Sequence, residues 1–79
     1  MTNVRRNTMT EMAVRELEGV AVELLADHKL IRFDWRVMGT LAKTYDAKQE
    51  ARVRAVLRRV QREKEARGMT PAREIEEAP

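Results

Sequence analysis

Residues 46–68 read DAKQEARVRAVLRRVQREKEARG, and the punctuation of this stretch decides the fold class. Val53, Val56, Leu57 and Val60 recur at i, i+3, i+4 and i+7, the spacing that gathers apolar side chains on one face of a 3.6-residue helix. Asp46, with Gln49 three residues on, supplies an N-cap able to accept from the unpaired amides of the first turn. At the other end Arg67-Gly68 precedes Thr70-Pro71, a glycine stop followed by a residue that cannot continue a helix. The spacing predicts a helix over 47–67, with no strong core residue from Gln61 on.

Working back along the chain, Asp34 is placed to cap a second helix over 35–45 that carries Trp35, Met38, Leu41, Ala42 and Tyr45 at near-helical spacing. Phe33 and Met38 could form its hydrophobic staple, and Leu30 to Phe33 reads as an apolar connector. Farther back, Thr8-Met9-Thr10-Glu11 fits a capping box and predicts a first helix over 9–29. On that helix Val14, Leu17, Ala21, Leu24, Leu25 and His28 share a face, with Glu16, Glu23 and Asp27 opposite. Gly19 lies outside the stripe, where it either admits another backbone or is simply tolerated. The reading is all-α: a small three-helix domain over 9–68, a flexible basic arm over 1–8, and a frayed acidic tail over 69–79 with Ile75 as its one large apolar residue.

The chain has 79 residues, enough for one core, and Val, Leu, Ile and Phe supply only 17 of them. A domain of this length has about 4–12 kcal/mol of stability, so a second copy that covers more apolar surface is easily accommodated. There is no cysteine or serine and a single histidine, His28, which removes thiol and serine chemistry and leaves no ligand pattern for zinc. His28 reads as a structural histidine, and no catalytic residue, cofactor or metal is expected. No apolar run reaches signal-peptide or membrane-spanning length, so a cytoplasmic protein without a membrane partner is expected.

Charge is unevenly spread. Residues 10–30 carry five acids and two bases, whereas residues 43–68 carry nine bases and four acids. On the third helix Arg54, Arg58 and Arg62 form an i, i+4, i+8 stripe, flanked by Arg52 and Arg59 and preceded by Lys48, on the side away from the valines. Like charges at this spacing repel by a few tenths of a kcal/mol per pair, about 0.2–0.5, and a phosphate would relieve them. Glu50, Glu63 and Glu65 neutralise part of the stripe, so a solvated face is the competing reading. Arg5 and Arg6 could act as a basic arm reaching into a groove.

Leu41, Ala42, Tyr45, Ala47 and Val53 loosely resemble the helix-turn-helix pattern. Asp46 stands where that family usually has glycine, and Val53 comes one residue late for its hydrophobic anchor, which leaves the register open. The resemblance implies that Lys48, Arg52, Arg54 and Arg58 face DNA. Trp35 and Tyr45 are of types found at binding hot spots, yet both sit at core spacing.

These features lead to a small non-enzymatic regulatory protein that acts by binding. The first expectation is nucleic acid, DNA before RNA, bound through Lys48, Arg52, Arg54, Arg58, Arg59 and Arg62, with Arg5, Arg6 and Trp35 as secondary contacts. The alternatives are a small phage-type inhibitor or adaptor that occludes a larger protein, and a helical homodimerisation module. A homodimer is expected, and the acidic face of the first helix meeting the basic face of the third helix of another copy, which would specify an antiparallel dimer, is one way to form it.

Overall fold

A computed structural model describes the backbone of residues 2–69 and the side chains from residue 8 on. It is all-α, with three helices and no strand among the described residues: α1 (Thr2–Glu18), a 3-10 turn (Val22–Leu24), α2 (Asp27–Ala42) and α3 (Ala47–Ala66). Of the flexible tail expected over 69–79, Met69 is described and packs on the core, whereas the rest, with Glu74, Ile75, Glu76 and Glu77, lies outside the described residues.

α3 follows its sequence. Val53, Val56 and Val60 are buried and Leu57 packs against them. The Asp46 carboxylate accepts from the amides of Lys48 (2.9 Å) and Gln49 (3.0 Å). At the far end Gly68 takes φ +74°, a conformation that glycine adopts without strain. The Gly68 amide donates to the Glu65 carbonyl (3.0 Å) and the Met69 amide to the Lys64 carbonyl (2.8 Å), while Met69 packs on the core. This pair of bonds is the Schellman pattern.

The first two helices are cut differently from the sequence expectation. α1 begins at Thr2, so Thr8 lies inside it rather than at a helix start, and residues 2–8 of the stretch read as a flexible arm have helical backbone. α1 also stops at Glu18 rather than running to residue 29. The Gly19 amide still donates to the Arg15 carbonyl (3.0 Å), but glycine and the β-branched Val20 and Val22 then disfavour further helix. The break lets Val22 enter the core from the 3-10 turn, a position a continuous helix would deny it. As a result Ala21, Leu24 and His28, expected on the core side, are exposed, and Leu25 is half-buried. No second backbone approaches Gly19: an added Cβ would meet only the Arg15 and Glu16 carbonyls of its own helix, at 3.5 and 3.7 Å.

α2 takes over the residues read as a connector. Leu30, Phe33, Val37 and Leu41, at i, i+3, i+7 and i+11, form its inward row, and Asp27 in the first turn complements the helix dipole. Asp34 is therefore mid-helix and buried rather than a cap, and its carboxylate pairs with Lys64 of α3 (2.8 Å). Met38 is exposed while Phe33 is buried, so the expected staple does not form. Trp35 and Tyr45, read at core spacing, are 76 % and 89 % exposed.

Three faces thus meet at Val14 and Leu17 of α1, Leu30, Phe33 and Val37 of α2, and the α3 valines. The α2–α3 relation is fixed by ion pairs at two heights. Asp34 meets Lys64, and Asp27, the first residue of α2, meets Arg67 just past the end of α3 (2.9 Å). Helices that stay in contact from their connecting turn to their far ends form an antiparallel hairpin.

Candidate nucleic-acid interface

Arg52 does not join the outward stripe. Its Nη1 donates to both Glu11 oxygens (2.8 and 3.0 Å), and its Nε and Nη2 donate to Glu18 (3.1 and 2.6 Å). Gln49 adds a bond from Nε2 to Glu11 (3.2 Å), and Arg15 closes the cluster from α1 (2.9 Å). The Arg52 hydrogen bonds, with those of Gln49 and Arg15, hold the Glu11 carboxyl down at about 2. Hydrogen bonding to Arg52 likewise lowers Glu18, and the two carboxylates raise Arg52 in turn. The acid-to-base complementarity expected between copies is in this respect satisfied within one chain.

Arg59 is drawn inward as well, donating to the Val20 carbonyl (3.3 Å) with Glu23 at 3.7 Å. Arg67 is held by Glu63 and Asp27, which raise it above the ordinary arginine range, and Arg36 is held by Glu16 of α1 (2.7 Å). Arg54 pairs with Glu50 one turn back (2.8 Å) but remains exposed. Arg58, Arg62 and Lys48 are exposed and form no ion pair among the described residues. The side chains of Arg5 and Arg6 lie outside the described ones.

Intramolecular pairing therefore sorts the charges. Lys29, Arg32, Lys43, Lys48, Arg58 and Arg62 are left without an ion pair among the described residues, and of the described acids only Glu65 has neither an ion pair nor a capping bond. On α3 the remaining cations share the outer face with Ala51 and Ala55, both exposed. Small residues between long cationic ones let a helix backbone come close to a phosphate-lined groove about 12 Å wide.

Sequence reasoning named Trp35 as a secondary contact but missed the outer row of α2 to which it belongs, where Ile31, Trp35 and Met38 are 41 %, 76 % and 51 % exposed. The signal was present, because once Leu30, Phe33, Val37 and Leu41 are taken as the inward row, Ile31, Trp35 and Met38 must face elsewhere. Among the described residues no group of three His, Cys, Asp or Glu side chains could hold a metal ion, and no helix is long and apolar enough to cross a membrane. No family model matches the chain, and no curated protein or solved structure matches it significantly.

Proposed function

We propose that the protein is a non-enzymatic regulatory protein that binds nucleic acid, duplex DNA before RNA, through the outer face of α3. The observation that carries this reading is the sorting of charge: among the described residues the cations left without an ion pair are many and the acids so left are few, which favours a positive surface toward an anionic partner. Arg58 and Arg62 are the principal phosphate contacts, with Lys48 beside them and Arg54 available by exchange of Glu50 for phosphate. Arg52 and Arg59 play no part in it, because their guanidiniums already serve the contacts among helices and turn.

The test is fluorescence anisotropy against mixed duplex DNA and single-stranded RNA over a range of salt. Each phosphate neutralised contributes about 0.9 to the slope of log affinity against log salt, so Arg58→Ala with Arg62→Ala is expected to flatten that slope by about 2. Absence of salt-dependent binding, or an unchanged slope in the double variant, overturns the proposal. The exposed α2 row favours a second reading, association with protein.

A further inference from the structure

The outer row of α2 runs His28, Ile31, Trp35, Met38 and Ala42, at intervals of three, four, three and four residues, and every one of them is exposed. An average spacing of 3.5 is that of a seam between two helices supercoiled about one another, in contrast to the wider core-facing stripe of a single globular helix. α2 carries its inward row as well, so it is apolar on two sides and only one is covered within the chain. Gly39 lies beside the seam, and a Cβ there would meet nothing within 4 Å, leaving room for an indole from another helix.

The flanks of the row say which helix fits. Asp27 lies on one side and Arg32 five residues later on the other, which is the offset at which flanking charges pair between parallel strands of a coiled coil. Asp27 is 74 % exposed even though Arg67 holds one of its oxygens, and Arg32 has no ion pair among the described residues. A parallel second copy thus sets Asp27 against its partner's Arg32 and Arg32 against its partner's Asp27. An antiparallel copy would set Gly39 opposite Arg32 and gain neither pair. From the spacing and this complementarity we infer that α2 associates in parallel with α2 of a second copy, with Ile31, Trp35 and Met38 each stacked on its twin. The surface is distinct from the cations of α3, so this assignment stands apart from nucleic-acid binding.

The chain's single tryptophan lies in the seam, which gives a direct readout. Sedimentation of the full chain without nucleic acid, from low to high micromolar concentration, is expected to show a mass rising from 9.2 kDa toward twice that value. Trp35 emission should move to the blue in step, as the indole leaves water. Trp35→Asp should weaken the dimer by at least about tenfold while helicity is retained, since this side chain is outside the core of one chain. Arg32→Asp should weaken it too, and Asp27→Arg combined with Arg32→Asp should restore it. A chain that stays monomeric throughout overturns the inference, as does a dimer that leaves Trp35 emission unchanged or survives Trp35→Asp. A monomer that cross-links from position 35 to a different protein also overturns it, by placing a foreign helix on the row. Arg58→Ala with Arg62→Ala should dimerise as the unmodified chain does, which keeps failure of this inference separate from failure of nucleic-acid binding.

Discussion

Asp34 and Lys64 offer the sharpest test of how α2 and α3 are aligned, because sequence and structure assign Asp34 different work. As an N-cap, Asp34 would lose about 1 kcal/mol on replacement by alanine, and Lys64 would be irrelevant to it. In the fold the two charged atoms are 2.8 Å apart, with side chains only 17 % (Lys64) and 12 % (Asp34) exposed. Opposite unit charges about 4 Å apart attract by about 4 kcal/mol at an effective dielectric of 20, and desolvation offsets much of that. Removing one partner leaves the other charge nearly dry, which costs about 3–5 kcal/mol when burial is complete. With a little exposure remaining, Asp34→Ala and Lys64→Met should each cost about 2–3 kcal/mol. The double variant should cost little more than either alone, a coupling of about 2 kcal/mol against the 0.3–0.5 kcal/mol expected of independent sites. Urea unfolding followed by helical circular dichroism, at one fixed protein concentration, measures all four corners of the cycle. Additivity to within about 0.5 kcal/mol would refute the alignment, and with it the placement of the α2 seam relative to α3.

Two further predictions concern α1. Glu11 and Glu18 are lowered chiefly by Arg52, so their contribution to stability is present above the ordinary carboxylate range and is lost as pH falls through their lowered values, which for Glu11 is about 2. The urea midpoint should drop over that acid window, and Arg52→Met should flatten the drop. Gly19→Ala should raise the thermal midpoint, by the equivalent of about 0.4–1 kcal/mol, because its added methyl makes only ordinary contacts and the unfolded chain loses freedom; a loss of stability would contradict the break described at this residue.

The parts of the fold that were legible in the sequence are those in which local signals agree. In α3 the cap at Asp46, the valine stripe and the stop at Gly68 all specify one helix, and no tertiary term had to override them. The break between α1 and α2 was hidden because residues 14–28 also satisfy a helical stripe. The competing row from Leu30 to Leu41 wins by burying Phe33 and Val37 along with Val22, more apolar area than Ala21, Leu24 and His28 could offer. The arginine stripe was legible as a pattern of charge, whereas its division was not. Whether Arg52 faces solvent or α1 depends on Glu11 and Glu18, which are 41 and 34 residues away in sequence. Trp35 was misplaced for the same reason as Asp34, since moving the start of α2 from residue 35 to Asp27 turns the chosen face outward.

That outward turn has an energetic consequence. A tryptophan offers about 150–250 Å² of burial, worth about 4–6 kcal/mol at 25 cal/mol per Å², and Trp35 leaves three quarters of its surface in water. Ile31 and Met38 add to the area left uncovered, while the whole domain is expected to have only about 4–12 kcal/mol of stability. Even after the cost of association is subtracted, covering the seam with the proposed second copy would be large beside that stability, so association and stability would be linked by mass action. Nucleic-acid binding at the outer face of α3, as proposed, would obey a different variable, because counterion release would make it respond to ionic strength. Dilution at fixed salt acts chiefly on the seam, and salt at fixed concentration acts chiefly on the cations. If one of these perturbations moved both Trp35 emission and nucleic-acid affinity together, the two faces would be coupled through the α2–α3 hairpin, and the Asp34–Lys64 pair that aligns it would be the first place to look.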